Sequence, residues 1–289
     1  MFHSILVPLD GSTLAEQAVP VAAAVAEQNE GSLSLAIVHP WGPAEDAPRP
    51  GTRADRELRE EEGIYLNRLM QSVASAYHIP VCEAVLDGSA TGHTLVEYTR
   101  RRKIDLVVAS THDHGALGRF LSSGLSRYLA HQARAGVLFI KPQAGPLPIT
   151  LGGFRRVLVA LDGSAGAEAA LLPATALAHQ QAVITLVRVI AGSGAPLAQV
   201  RAEAKSYLER LLPDQQQGGG RVETKVLLAN SAAEAILAYA ADEGIELIAL
   251  TTRRRRWAAR TLFGSLADTV IHKAAVPVLV CHAPPERNN

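Results

Sequence analysis

The sequence predicts an α/β protein built as two tandem doubly wound parallel-sheet domains. Three observations carry this: an internal repeat, short unbroken apolar runs, and helical stretches that separate those runs. Residues 5 to 12 read ILVPLDGS and residues 157 to 164 read VLVALDGS, an offset of 152. LVVASTH from Leu106 matches LIALTTR from Leu247, at an offset of 141. The same 141 relates GLSRYLA from Gly124 to SLADTVI from Ser265, and VLFI from Val137 to VLVC from Val278. A repeat near 145 residues is a whole domain, not a solenoid unit. The change of offset implies a net insertion of eleven residues in the first copy, placed in the Pro- and charge-rich segment 41–57. The domains are expected at 1–146 and 152–284, joined by PQAGPLPITLGG, with APPERNN as a frayed tail.

Each element follows in order. ILVPL is a short, apolar first strand, and Asp10-Gly11-Ser12 opens an Ala-rich helix that ends near Gly31. Ser12 or Asp10 suits the N-cap, and Gly31 is read as the C′ residue. A strand follows at Leu33–His39, then the inserted segment and a helix through LNRLMQSVASAYHI. Next come a strand at Val81–Leu86, a helix around Leu95–Arg102 and the apolar strand DLVVAS. A helix near Ser122–His131 and the strand VLFIK close the unit. The second copy repeats the order, with VLVAL, VITLVRV, VETKVLL, LIALT and VPVLV as strands. Apolar strands alternating with helices describe a parallel sheet covered on both faces.

Composition removes several classes of function. The 289 residues carry 28 Lys+Arg against 28 Asp+Glu, which argues against a nucleic-acid binder with its basic excess. At 48% hydrophobic residues the chain has ample apolar content to fold, so disorder is excluded. No stretch reaches the ~18 uninterrupted apolar residues of a membrane helix. The N-terminus lacks a basic region and a cleavage site, so a cytoplasmic location is expected. Cys82 and Cys281 have no metal-ligand spacing and read as small buried hydrophobes in a reducing compartment.

Chemistry is expected at the carboxyl ends of the strands, near the point where strand order reverses. Three features meet there in each copy. Asp10-Gly11-Ser12 and Asp162-Gly163-Ser164 follow the first strand; their residues read equally as a helix cap or as a carboxylate for ribose hydroxyls. The loop after the fourth strand covers 110–118 or 251–260, and the next helix starts at Ser123-Gly124-Leu125 or Gly264-Ser265-Leu266. A glycine there lets backbone approach a phosphate, and a serine adds a hydroxyl donor.

With these residues the sequence resembles the universal stress protein family, as two tandem copies over nearly the whole chain. ILVPLDGS and FGSLADTVIHKAAVPVLV carry the resemblance most closely. It implies a doubly wound fold of the adenine-nucleotide alpha-hydrolase type, usually of five strands. Its nucleotide-binding members hold ATP, and the family role is stress-responsive regulation rather than a defined metabolic reaction. Pairing runs through the last strand, here as a pseudo-dimer inside the chain or as a homodimer, and the protein partner is unknown. The resemblance places the ribose-contacting acid at Asp10 and Asp162, and an adenine-contacting backbone position at Val189, with Pro40 in the first copy. The first phosphate-motif glycine falls on Ser110 and Thr251, and the second on Asp113 and Arg254. The last pair falls on Ser123-Gly124 and on Gly264-Ser265, with Leu266 next.

Charge separates the copies. Asp113 sets a carboxylate where phosphates would lie, tolerable with Mg²⁺, whereas Arg254 has the favourable sign. Residues 1–146 hold 13 basic and 16 acidic side chains, and the remainder 15 and 12. The second copy is therefore the expected binder of ATP or another adenine nucleotide, with Mg²⁺. A nucleotide-independent structural or interaction module is the other reading, because both copies lack motif glycines. An enzyme such as a slow ATPase ranks third, since no general base is evident.

Other features read blandly. His112-Asp113-His114 lacks further metal ligands. Arg253–Arg256 with Trp257 is one basic cluster in a neutral chain, best read as a solvated or anion-binding loop. Arg100–Lys103 is a basic helix C-terminus, and Glu60–Glu62 a solvated helical face.

Overall fold

The computed structural model describes residues 1–40, 48–111, 123–141, 153–190, 197–212, 220–252 and 266–282. The chain divides into two compact units, Met1–Leu147 and Pro148–Asn289. The first contains β1 (Ser4–Leu9), α1 (Thr13–Glu16), α2 (Ala18–Gln28), β2 (Ser32–Pro40), α3 (Arg53–Ala76), β3 (Val81–Gly88), α4 (Thr91–Arg101), β4 (Leu106–Ser110), α5 (Ser123–Gln132) and β5 (Gly136–Ile140). The second contains β6 (Phe154–Ala160), α6 (Ala165–Glu168), α7 (Leu171–Leu177), β7 (Ala178–Ile190), α8 (Leu197–Arg210), β8 (Arg221–Leu228), α9 (Ala232–Asp242), β9 (Leu247–Thr252), α10 (Leu266–Lys273) and β10 (Val278–His282).

Strand order in the first unit is β3-β2-β1-β4-β5, and in the second β8-β7-β6-β9-β10. The pairings within both units are parallel. The order reverses at β1/β4 and at β6/β9, so each unit has a switch point at the carboxyl end of its first strand.

The sheet cores are aliphatic. Ile5, Leu6, Val7, Leu106, Val107 and Val108 are fully buried in the first unit, as are Val157, Leu158, Val159, Leu247 and Ile248 in the second. Helix α2 buries Ala18, Ala22, Ala23 and Ala26 alongside its valines, and those small side chains let it lie close to the sheet. Cys281 is buried, and burial pushes its thiol up to about 12, so it behaves as a small hydrophobe. Cys82 is half-buried with Sγ 3.1 Å from Ser34 Oγ. Among the described residues no helix is long and apolar enough to cross a membrane.

Several boundaries differ from the sequence reading. Helix α3 starts at Arg53, so the last part of the 41–57 segment is helical, capped by Thr52, whose hydroxyl accepts from Asp55 N. Residues 41–47 lie outside the described residues. Strand β7 starts at Ala178, five residues before Val183, through a register irregularity opposite Phe154 and Arg156. Gly31 is not the left-handed residue that ends α2. Glu30 takes that conformation, at φ 49°, with its N–H on Glu27 O and Gly31 N–H on Ala26 O, a Schellman closure. Glycine is needed at 31 for space, because a Cβ there would sit 2.7 Å from Phe2 O.

The same closure ends α4 and α9, with Lys103 at φ 52° in the first unit and Gly244 at φ 61° in the second. A lysine in the left-handed region carries a steric cost that glycine avoids. Lys103→Gly is therefore expected to stabilise the first unit by about 1 kcal/mol, read as a raised unfolding midpoint in denaturant.

Candidate functional site

Both switch points carry the same turn, atom for atom. Asp10 Oδ1 accepts from Ser12 N at 2.9 Å and Ser12 Oγ at 2.6 Å, and Ser12 Oγ in turn accepts from Ala15 N at 3.1 Å. Asp162 Oδ1 accepts from Ser164 N at 2.8 Å and Ser164 Oγ at 2.6 Å, with Ala167 N on Ser164 Oγ at 3.2 Å. Between them Gly11 and Gly163 take φ of 80° and 92°, which glycine alone adopts without strain. The serine is thus the N-cap, and the aspartate fixes the serine. The cap accounts for only one carboxylate oxygen. Among the described residues no hydrogen bond reaches Oδ2 of either aspartate, and Asp10 Oδ2 is buried as well as unpartnered.

The neighbouring strand ends complete the edge. Leu106 lies beside Ile5 and Val107 beside Leu6, so the register carries Ser110 next to Leu9, one residue from Asp10. Ser110 is fully buried, and among the described residues its Oγ has no partner. Thr251 is half-buried at the equivalent place on β9, paired with Cys281. Val189 is half-buried near the end of β7, beside Leu227. Strand register sets Val38, not Pro40, at its place in the first unit, because Leu9 faces Ile37 and Ala160 faces Val187. By the same register Arg188 occupies the position of Ile37.

Ser123 and Gly124 open α5, and Leu266 opens α10. Arg254, Gly264, Ser265, Asp113 and the His112–His114 group lie outside the described residues. Among the described residues no group of three or more His, Cys, Asp or Glu side chains is placed to hold a metal ion.

Two sets of residues emerge that the sequence reading did not single out. The first is duplicated. YLNR at 65–68 repeats as YLER at 207–210, an offset of 142, and Glu16 repeats as Glu168 at 152. Tyr207 Oη donates to Glu168 Oε1 at 3.1 Å. Burial first, and then Glu168 and Asp162, push the Tyr207 hydroxyl far above its ordinary range. Tyr65 is pushed up in the same way by burial, Glu16 and Asp10. The guanidinium of Arg68 lies 5.5 Å from the Tyr65 ring centre, and that of Arg210 lies 5.9 Å from the Tyr207 ring. Arg188 adds a second cation 5.3 Å from Tyr207, and a Cβ on Gly163 would meet its guanidinium at 2.9 Å. Comparing the two copies for identical residues away from the strands would have found this set.

The second belongs to the first unit alone. His39 is fully buried, with Nδ1 2.7 Å from Glu62 Oε2 and Nε2 3.0 Å from Asp55 Oδ1. Asp55 Oδ2 also accepts from Gly51 N at 3.0 Å, and this bond followed by His39 lowers its carboxyl pKa. Burial raises that of Glu62. Arg59 joins Asp55 to Asp87 of β3. Glu62 is therefore not part of a solvated face as the sequence suggested: Glu60 and Glu61 are exposed, while Glu62 turns inward to the histidine.

Comparison with known proteins gives the family. The model of the universal stress protein family matches residues 1–141 and 153–282, and the chain belongs to that family as a tandem member. It is 26% identical over 295 residues to a universal stress protein of Mycobacterium tuberculosis, covering 96% of each chain. A universal stress protein of Methanocaldococcus jannaschii is 24% identical over 142 residues, 49% of this chain and 83% of that one. The crystal structure of a universal stress protein from Archaeoglobus fulgidus superposes with a TM-score of 0.74 at 18% identity, over 97% of this chain and 98% of that one. That likeness establishes the fold.

Proposed function

We propose that this chain is a stress-response regulatory module that binds an adenine nucleotide, ATP or a relative of it with Mg²⁺, at the switch point of its second unit. One observation carries the reading. The duplicated Asp-Gly-Ser turn spends a single carboxylate oxygen on its own geometry and leaves the other at the carboxyl edge of the sheet. An acid there can accept hydrogen bonds from ribose hydroxyls, beside strand ends that lie where open parallel sheets take their ligands. Asp10 and Asp162 serve as the ribose acids, with Ser110 and Thr251 at the neighbouring strand ends.

The second unit is favoured by charge. Arg188 presents a cation against the turn glycine, where the first unit has Ile37, and Arg254 of the sequence adds another in the same half. Val189 offers backbone to the base, and α10 opens at Leu266, directly after Gly264 and Ser265 of the sequence, which we assign to the phosphate as we do Ser123 and Gly124 in the first unit. The role we assign is binding rather than turnover, with the turn aspartates acting as hydrogen-bond acceptors. Pairing through the last strand, within the chain or between two chains, and a cytoplasmic location complete the proposal. The two unlinked thiols suit such a compartment.

Denaturing the purified protein and weighing any released small molecule tests the ligand class directly. Titration with ATP, ADP and AMP follows, read by thermal shift. A ligand at 100 times its Kd stabilises a protein by roughly 2.7 kcal/mol. That shift is the expected result, and its absence for all three nucleotides supports a nucleotide-independent interaction module instead.

A further inference from the structure

We propose that the trough between α8 and the end of β8 is a docking site for an acidic, apolar peptide segment of a partner protein, held by Arg201. This surface lies at the outermost strand of the second unit, away from the β6/β9 switch point, so it stands apart from the nucleotide reading. Leu197, Ala198, Arg201, Ala202 and Lys205 of α8 and Leu228 of β8 line a trough of about 690 Å³. All six are exposed, which makes it an open surface feature and not an enclosed cavity. Leu197 is 37% exposed and Leu228 47%, two large apolar side chains left to water beside two cations. Exposed apolar surface with a polar rim marks protein interaction sites. Lys205 lies 3.5 Å from Glu209, whereas among the described residues no carboxylate pairs with Arg201.

The first unit shows what Arg201 lacks. The 142-residue offset that relates Tyr65 to Tyr207 also relates Arg59 to Arg201. Arg59 donates to Asp87 of β3 and lies 3.7 Å from Asp55, one turn earlier on α3, while Asp55 and Glu62 share the buried His39. The same offset puts Leu197 at the place of Asp55 and Ala204 at that of Glu62. Two residues beyond the match of Ile37 with Arg188, strand register puts Ile190 at the place of His39. Because His39 faces Asp87 and Ile190 faces Leu228, Leu228 takes the place of Asp87. The second unit thus keeps the arginine and has an apolar residue at each of the four positions that surround it in the first. Arg201 and Leu228 line one trough just as Arg59 and Asp87 meet.

What remains is a guanidinium on an apolar floor. Arginine presents its donors in a rigid fork that fits a carboxylate, and the first unit makes that pairing at the equivalent place with a carboxylate of its own. A ligand that restores the arrangement brings a carboxylate for Arg201 and apolar side chains for Leu197 and Leu228. Its negative charge also suits the half of the chain that holds 15 basic and 12 acidic side chains. A peptide segment carries both kinds of group at residue spacing, and an open trough along one helix face admits it lengthwise.

Fluorescence anisotropy tests this with a labelled peptide of alternating aspartate and leucine, and with aspartate–serine and lysine–leucine peptides as controls, each titrated with the full chain. The aspartate–leucine peptide should bind more tightly than either control by about tenfold or more. Arg201→Ala should weaken it by about tenfold, the loss of one charge-assisted hydrogen bond. Leu228→Asp gives Arg201 the internal partner that Arg59 has, and should weaken the peptide by a similar factor without lowering the unfolding temperature. Arg53→Ala, which removes an exposed arginine from α3, should leave the affinity unaltered. Failure of the aspartate–leucine peptide to bind, equal binding of the aspartate–serine peptide, or unchanged affinity in Arg201→Ala and Leu228→Asp overturns the docking site. Sedimentation of the chain without peptide tests the other occupant. A concentration-dependent dimer that Leu228→Asp dissolves makes a second copy the occupant and overturns the peptide assignment.

Discussion

His39→Ala should destabilise the first unit by about 3 kcal/mol or more, because it empties a buried site and leaves two enclosed carboxylates without a hydrogen-bond partner. The histidine is completely enclosed and touches a carboxylate with each ring nitrogen, Glu62 at 2.7 Å and Asp55 at 3.0 Å. Alanine leaves a cavity of imidazole size with two acids around it. The pH dependence identifies the cause. Burial holds the Glu62 carboxyl above its ordinary 4.5, and its bond to His39 opposes that rise. Without the histidine the folded value climbs further. A carboxyl raised on folding costs nothing below its unfolded value, and its cost grows as pH rises through the folded value. Asp55 adds in the same direction. Its carboxyl is depressed below 3.8, first by Gly51 N–H and next by His39, so it contributes stability above that value. Asp55, held below 3.8, stays ionised throughout the range above pH 4, so its share of the loss is constant there, as is that of the cavity. The deficit of His39→Ala against wild type should therefore already be present at pH 4 and widen toward pH 6 as Glu62 ionises, followed by urea denaturation. A deficit independent of pH over that window would assign the whole loss to the cavity and Asp55. A His39→Leu, Glu62→Leu pair should recover part of the stability, since apolar replacement removes a charge that would otherwise stay unpaired.

The architecture was legible in the sequence because its signals are local and repeated. LVVAS and LIALT are apolar throughout, which a strand covered on both faces requires, and the 141-residue offset set the later strands and helices of the two copies in correspondence. The turn was legible for the same reason, since Asp, Gly and Ser each have one job there. Errors arose where a residue's role is set by something distant. Glu62 sits among charged neighbours on a long amphipathic helix, and only the approach of β2 makes it the partner of a buried histidine. Gly31 looked like a helix terminator, whereas its smallness is demanded by Phe2 O, a backbone atom from the preceding strand region. The correspondence of Pro40 with Val189 came from matching letters around a histidine and an arginine. Parallel pairing with β1 and β6 sets the count instead, and it moves the match by two residues to Val38. The Glu–Tyr–Arg set escaped because its glutamate lies 49 residues before the tyrosine in one copy and 39 in the other, so its members repeat at two different offsets.

Arg188→Ile gives the second unit the side chain that register places in the first, and it should weaken ATP binding by about 10- to 100-fold. That range corresponds to one charge-assisted hydrogen bond of about 1.5 to 3 kcal/mol. The loss should grade with ligand charge, largest for ATP, smaller for AMP and close to nil for adenosine, with a shallower dependence on salt than wild type. The geometry gives the prediction its edge, because Arg188 is not reaching into open solvent. Its guanidinium lies over the Tyr207 ring and against the Gly163 backbone. Two outcomes are therefore physically distinct. If the arginine attracts phosphate, isoleucine costs affinity and the cost scales with charge. If it fills the nucleoside's space, isoleucine leaves more room, and affinity for adenosine and ATP should rise together. The reciprocal Ile37→Arg change separates them again. In the first case it should confer charge-graded binding on a unit that holds Asp10 Oδ2 ready but has no cation at this strand position. In the second it should shut that unit to ligand. Charge grading in both variants, in opposite directions, is the result expected if divergence at this one register position divided the two copies into an anion-binding site and a site without that preference.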